Sequence, residues 1–553
     1  MTDFSQIKTQ IKGEVLTDKE TLARYSRDAS IFEIEPACVV RPQNSADVQA
    51  LVKWAAAQKH NHSELSLTAR SAGTDMSGGA LNDSVIVDFA AHFSSIIDIH
   101  GERAGGGAAT VQPGVFYRDF ERASLAQGLI LPCYTASKSL NTLGGMIANN
   151  SAGEKSLSYG QTKDYVLQLK AVLSDGNEYT FGELDEAALE QKLKLPGREG
   201  EIYRRIFRLI KDNYETIMQA KPTTSKNSAG YLLWEVWRDK KTFNLARLLT
   251  GAQGTLGLVT ELSVRLVRPR PQSGLLVIFM NDLARLGEVV KTVAEFKPES
   301  FESYDDHTFK LAMKFFPDML KRMKGNLFAL GLKFLPEMWM TLTGGIPKLI
   351  LIAEFTGETA AEVAAQAARA QEAVRAGFGL KTHLTASAAE AEKYWVVRRE
   401  SFNLLRQHTH GLATAPFIDD IVVHPAELPK FLPELNAILA DYPSLIYTIA
   451  GHAGDANFHI IPLMDLSRPD QRAIIPKLAD RVYDLVLKYH GSLTAEHNDG
   501  LIRSPYLAKM YGPKVTELFA EVKRIFDPDN LFNPRKKTGA SLEYSLAHIK
   551  TTL

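Results

Sequence analysis

The sequence predicts an α+β protein of two or three domains, on three observations. The chain is 553 residues long, more than one hydrophobic core normally organises. Its first half alternates strand and helix patterns around three glycine-rich turns. Its second half repeats a strand-then-helix unit with little linker, which predicts helices on one face of an antiparallel sheet.

After a short helical lead, RPQNSADVQALVKWAAAQ reads as a helix capped by Asn44 or Ser45, with Val48, Leu51, Val52 and Ala55 on its apolar face. Strand LSLTA leads into the loop RSAGTDMSGGA, Arg70 to Ala80. VIVDF and ATVQPG read as strands, and FYRDFERASLAQG as a helix ending on Gly128. Two further glycine-rich turns follow, Ser139 to Gly160 and Leu249 to Leu262. Glycine lets backbone N–H groups close around a pyrophosphate, and a following helix N-terminus adds positive potential. No segment reads as G-x-G-x-x-G after a first strand or as a Walker loop. Three such loops in one domain nevertheless point to a dinucleotide.

From about residue 272 the units are SGLLVIFM with DLARLGEVVKTVAEF, PKLILIAEFTG with a helix opened by Glu358 and closed by Gly377, and APFIDDIVV with HPAELPKFLPELNAIL. Helices around YLAKMYGPKVTELFAEVKRIF end at DPDNLFNPRKK. The stretch 310–348 is rich in Met, Phe and Leu, and its Lys and Arg far outnumber two acids, Asp318 and Glu337. It is either a core-covering helical hairpin with a basic face or a segment lying in a membrane interface.

Chemistry concentrates in GHAGDANFH, Gly451 to His459, and TAEHNDG, Thr494 to Gly500. Apolar runs flank the first, so it reads as a turn between strands. A turn centred on Asp455 and Ala456 sets His452 opposite His459, with Cβ atoms roughly 5 Å apart. Glu496 would complete a His/His/carboxylate set with open positions, which suits Zn, Mn or Fe. Any one of these residues alone is better explained by a polar hairpin with satisfied histidines; the conjunction with the adjacent Glu496–His497 pair favours a site.

Charge is balanced, 64 basic against 64 acidic residues, so no field recruits nucleic acid. The two cysteines, Cys38 and Cys133, cannot frame disulfides or hold an iron–sulfur cluster. A reduced cytoplasmic setting fits, and MTDFSQIKTQIKGE has no apolar signal core.

These motifs carry a resemblance. RSAGTDMSGGA resembles the phosphate loop of vanillyl-alcohol-oxidase-like FAD flavoproteins, and GGMIANNSAG, YGQTKDYV, KNSAGY and GAQGTLGLVTEL resemble that family's later FAD loops. GHAGDANFH and AEHNDG are similar to the signature of its D-2-hydroxyacid dehydrogenase branch, the AEHNDGLIRSPYL form being most like bacterial D-lactate dehydrogenases. The resemblance implies an N-terminal lead over 1–35, a two-subdomain FAD-binding domain over 36–271, and an α+β substrate or cap domain with an antiparallel sheet over 272–497. A helical segment, 498–553, would return to the FAD domain. It implies FAD contacts at Arg70, Ser71, Ala72, Gly73, Thr74, Asp75, Ser77, Gly78, Pro132, Thr142, Gly144, Gly145, Asn149, Ser151, Val259 and Asn533. Ser71 and Ala72 stand where that family usually has glycines, GAQG replaces a Gly-Ser-Glu-Gly, and no histidine stands in the first loops, so FAD is expected to be noncovalent.

The resemblance further implies oxidation of a small D-2-hydroxy acid, D-lactate as the favoured substrate and glycolate or D-2-hydroxyglutarate as alternatives. A divalent metal on His452, His459 and Glu496 would grip the substrate, His497 would be general base, and Arg398 of WVVRRE would bind the carboxylate. Arg399 reads as the surface member of that pair, and Arg503 as an active-site wall or a salt bridge. The stretch with Arg406, His408 and His410 offers no lysine match to the dicarboxylate-handling branch. Electrons would pass to a membrane quinone or another redox protein, which would place the chain in the cytoplasm or on the inner face of the membrane through 310–348. A metal hydrolase with glycine-rich turns is the reading from a different class; bound flavin separates the two.

Overall fold

The runs CVVR and VIVD have no polar alternation, so a sheet built from them needs cover on both faces. In the computed structural model they are Cys38–Arg41 and Val85–Asp88, which pair in parallel and continue in parallel to Leu67–Arg70. Glu14–Leu16 adds an antiparallel edge. Helix Ser45–Lys59 covers one face with Val48, Leu51, Val52 and Ala55, all fully buried. Asn44 is its cap, accepting the Asp47 N–H at 3.0 Å. The structure describes residues 3–102, 105–306, 346–408 and 411–552, with 400–408 described by backbone alone.

A second sheet is antiparallel throughout, in the order Ile96–Gly101, Gly107–Val111, Leu258–Leu266, Val166–Val172, Glu178–Leu184, Phe243–Asn244. Strict alternation along LVTELSVRL turns Leu258, Leu262, Val264 and Leu266 inward. Helix Gly197–Asp212 packs there, as does Leu507–Phe526 from the far end of the chain. Gly512, at φ +72°, breaks the latter, and beyond it Val515, Phe519, Val522 and Phe526 recur at helical spacing to fill the same core. Leu531 and Phe532 then join the core of the first sheet.

The third sheet runs Lys381–Leu384, Gln272–Met280, Leu349–Gly357, Ser300–Asp305, Ile446–His452, Asn457–Met464, Ala413–Thr414. Its helices are not confined to one face, as the sequence suggested. Helices Leu286–Ala294, Ala360–Phe378 and Leu428–Ala440 pack against Leu276, Ile278 and Leu351. Helix Ala388–His408 covers the other face, setting Tyr394, Trp395 and Val397 on Leu275, Val277 and Ile352. The reason lies in LLVIFM, apolar at every position, so that both faces demand cover.

Helix Ala360–Phe378 also starts and stops one or two residues later than expected. Thr359, not Glu358, caps it by accepting the Glu362 N–H at 3.2 Å. Gly379, at φ +65°, closes it, while Gly377 continues the helix. The basic stretch 310–348 falls almost wholly on 307–345, outside the described residues. Among the described residues no helix is long and apolar enough to cross a membrane.

The hairpin Ile446–His452 and Asn457–Met464 brings the third sheet down onto the loops of the first half. Its turn lands on helix Ser156–Tyr159, where Gly454 lies so close that a Cβ would come within 2.6 Å of a Leu157 methyl.

Candidate active site

One cavity of about 510 Å³ runs from the glycine-rich loops to the histidine hairpin, a size usual for a cofactor or ligand site. At one end it is lined by Ser71, Ala72, Gly73, Thr74 and Asp75, by Thr142, Gly144, Gly145, Asn149 and Ser151, and by Val259. At the other stand Arg398, His452, His459, Glu496 and His497. The two sets, drawn from residues 71–259 and 398–497, share one space.

Five of the expected cofactor residues shape the loops without lining this space. The Arg70 guanidinium turns away to donate to the carbonyls of Tyr25 and Arg27, at 3.1 and 2.6 Å. Ser77 folds back on Asp75, whose carboxylate also accepts from Gly79 N–H at 2.6 Å and Asn149 at 2.8 Å. Gly78, at φ +81°, makes the turn behind them. Asn533 donates to the Gly79 and Gln253 carbonyls at 2.8 and 2.6 Å, tying two loops together. Pro132 sits between Leu131 and Cys133, both buried, away from the cavity wall. The wall also uses a stretch that sequence reasoning missed, Thr135 to Lys138, just ahead of the Ser139–Gly160 turn.

Adjacent glycines on helix Leu143–Asn149 do different work. A Cβ on Gly144 would lie 2.5 Å from the Pro113 side chain and 2.6 Å from its carbonyl, so close packing requires glycine there. A Cβ on Gly145 would meet nothing nearer than Thr142 Oγ1 at 3.5 Å and would project into the cavity. The first glycine serves the fold; the second leaves room for an occupant.

In the hairpin, His452 pairs with Asn457 and His459 with Ala450. The turn is therefore centred one residue earlier than expected, and the two histidines are diagonal rather than directly opposite. Because a register change of two residues preserves the face, they still meet, with ring centroids 5.2 Å apart. Glu496 Oε1 lies 3.1 Å from His452 Nε2 and 3.6 Å from His459 Nε2. His497 Nε2 is 3.9 Å from the same oxygen.

Four supporting residues hold these groups. Glu302 accepts from His452 Nδ1 at 2.6 Å and from Arg398 at 3.0 Å, so one carboxylate aligns a histidine and the expected substrate arginine. Asp419 accepts from both His459 Nδ1, at 3.0 Å, and His497 Nδ1, at 2.7 Å. Asp420, at φ +64°, accepts the backbone N–H groups of Glu496 and His497 at 2.9 and 2.7 Å. Lys226, from KNSAGY, is wholly buried and donates to Glu496 Oε2 at 2.9 Å.

Two family models match the chain: the FAD binding domain over residues 36–182, and FAD linked oxidases, C-terminal domain, over residues 271–537. The chain belongs to the FAD-linked oxidases. It is 30% identical to the D-2-hydroxyglutarate dehydrogenase of Pseudomonas putida over 95% of its own length and 50% of that protein, so it spans about half of that relative. It is 25% identical to the glycolate oxidase subunit GlcD of Bacillus subtilis, over 97% of this chain and 96% of that one. With a D-lactate dehydrogenase of Anaerostipes hadrus it shares 24%, over 94% of each. Solved folds of the same type include 4-ethylphenol oxidase from Gulosibacter chungangensis, TM-score 0.65 at 15% identity, covering 97% of this chain and 96% of that one. p-Cresol methylhydroxylase matches at TM-score 0.65 and 16% identity, covering 95% and 93%. The expected α+β fold of this flavoprotein class is the observed one.

As an FAD-linked oxidase the chain offers a fitting cradle: the open position at Gly145, the loop backbone from Ser71 to Asp75, and the wall at Val259. The donor set also suits a cation. His452, His459 and Glu496 present one ligand atom each within 4.8 Å of one another. Asp419 and Asp420 lie in two other such groups, Asp419 with His459 and His497, and Asp420 with Glu496 and His497. Their oxygens already accept from imidazole or backbone N–H groups, whereas Glu496 Oε1 and the Nε2 atoms face one another. Electrostatics agree. Burial opposes a charged imidazole, yet Glu302 and Glu496 push His452 up to about 9, and Asp419 and Asp420 push His497 up to about 9. At His459 burial wins and the ring is held below its ordinary value. Burial would raise Glu496, but Lys226 and His452 hold it well below the usual carboxylate range. Metal-free, the cluster gathers protons because its carboxylates call for positive charge.

The arginines differ from expectation. Arg398 lines the cavity as expected, with 12% of its side chain exposed; Arg399 is the more exposed member at 34%, as expected, yet it lines the cavity too, bidentate on Glu154 at 3.1 and 2.6 Å. Arg503 is neither wall nor ion pair; wholly buried, it donates to the carbonyls of Asn498 and Asp419 at 2.8 and 2.6 Å. The side chains of Arg406, His408 and His410 lie outside the described residues.

Proposed function

We propose that this chain oxidises a small D-2-hydroxy acid to the 2-oxo acid with FAD and a divalent cation. The single observation that supports this most is the shared cavity, which puts glycine-rich loops, a His/His/Glu set and Arg398 around one space. When bound, FAD supplies the two-electron acceptor and the cation a Lewis acid for the substrate's hydroxyl and carboxylate oxygens. Arg398, aligned by Glu302, binds the carboxylate through its planar guanidinium. His497, held through Nδ1 by Asp419, takes the hydroxyl proton on Nε2, and no other unligated imidazole among the described residues lines the cavity. An external acceptor, a quinone or a redox protein, then takes the electrons.

D-lactate is the first substrate, because the second guanidinium in the cavity, Arg399, is already matched by Glu154. D-2-hydroxyglutarate is the second, because Arg399 lines the cavity and could exchange Glu154 for a distal carboxylate. A panel of D-lactate, L-lactate, glycolate and D-2-hydroxyglutarate with a dye acceptor separates them. If the distal carboxylate meets Arg399, Arg399→Met should cut the kcat/KM preference for D-2-hydroxyglutarate over D-lactate by about tenfold or more, the scale of one charged hydrogen bond. Equal losses on both substrates would restrict Arg399 to holding Glu154.

A further inference from the structure

We infer that Asp419 is the positioning residue that fixes a cation ligand and the general base together. The inference rests on the assignment of His452, His459 and Glu496 as ligands and His497 as base. The Asp419 side chain has no solvent exposure, and its two oxygens are divided: Oδ1 takes His459 Nδ1 at 3.0 Å and Oδ2 takes His497 Nδ1 at 2.7 Å. The two rings stack with centroids 5.0 Å apart and planes 20° apart. A carboxylate is an acceptor only. Both imidazoles therefore carry a hydrogen on Nδ1, so in its neutral form each ring has its lone pair on Nε2, on the cavity side, one for the cation and one for the substrate proton once the cation has displaced the cluster's extra protons.

The surroundings leave Asp419 little freedom to do otherwise. Arg503 holds its carbonyl at 2.6 Å. The next residue, Asp420, takes the left-handed conformation and sends its carboxylate to the backbone of Glu496 and His497. One aspartate sets the rings and the other sets the chain that carries them.

Asp419→Asn tests this, because the amide keeps the shape but offers one acceptor and one donor. Only one imidazole can keep its Nδ1–H partner; the other is pushed to the tautomer that blocks Nε2. In the metal-stripped flavoprotein, Zn²⁺ titrated calorimetrically should bind about 10–100-fold more weakly than in wild type, the usual cost of losing a carboxylate behind a ligand histidine. At saturating Zn²⁺ the rate of flavin reduction should fall by at least about tenfold while the KM for the acid, set by Arg398, moves less than about threefold. At saturating Zn²⁺, which offsets the weakened His459 arm, the change added to His497→Ala should cost little further rate, since the remaining effect of Asp419 runs through His497. Unchanged Zn²⁺ affinity and rate, or a loss fully additive with His497→Ala, would overturn the role of Asp419. If wild type binds Zn²⁺ and Glu496→Ala does not, the ligand assignment survives that failure. If wild type takes up no Zn²⁺, the two fall together.

Discussion

His497→Ala is expected to slow reduction of the bound flavin by about two to four orders of magnitude, the usual scale for loss of a general base. The size follows from how completely the site is arranged around this ring. Its backbone N–H is fixed by Asp420 and its Nδ1 by Asp419, so Nε2 has one direction left, into the cavity beside Glu496. Alanine leaves the cation set of His452, His459 and Glu496 whole, so metal content should not change. Stopped-flow bleaching with saturating D-lactate measures the step directly. A variant that reduces its flavin at the wild-type rate would remove His497 from proton transfer.

Gly145→Trp is expected to yield folded protein that purifies almost without flavin. The backbone there is helical and a β-carbon meets only ordinary contacts, so the fold tolerates a side chain. The indole, however, has only the cavity to enter, and its bulk competes for a space of about 510 Å³. Flavin content per chain, read from absorbance after denaturation, should drop by about tenfold or more, because a side chain occupying the space must be expelled before FAD can enter. Unchanged far-ultraviolet dichroism would show that the loss is not a folding defect. A yellow, fully loaded variant would place the flavin elsewhere.

Much of this architecture was legible because it is local. Apolar runs marked the strands, Asn44 marked a helix start, and the glycine-rich turns marked the loops that line the cavity. Where expectation failed, a tertiary partner decided. LLVIFM does not say that a helix from residues 388–408 covers its second face. The turn of the histidine hairpin falls one residue earlier than expected, with Gly454 where it packs closely on Leu157. Arg399 is the more exposed neighbour of Arg398, yet its helix runs along the cavity so that consecutive residues, about 100° apart, both reach it. Glu302 was missed altogether, and Lys226 was noticed only as part of KNSAGY, not as the partner of Glu496. Each is a single polar residue whose partner lies 150 and 270 positions away, and no spacing rule connects them. Asp419 and Asp420 were visible as a pair in FIDDIVV, but nothing local shows that they point at different targets.

The claim on which the account turns is that flavin and cation share one chamber. Anaerobic addition of D-lactate or D-2-hydroxyglutarate to the purified protein, followed at about 450 nm where bound flavin absorbs, tests it with and without prior chelation. The account predicts rapid bleaching in the metal-loaded protein, almost none after chelation, and recovery on adding back Zn²⁺ or Mn²⁺. Bleaching that is equally fast in stripped protein, or a protein that carries no flavin, would contradict it.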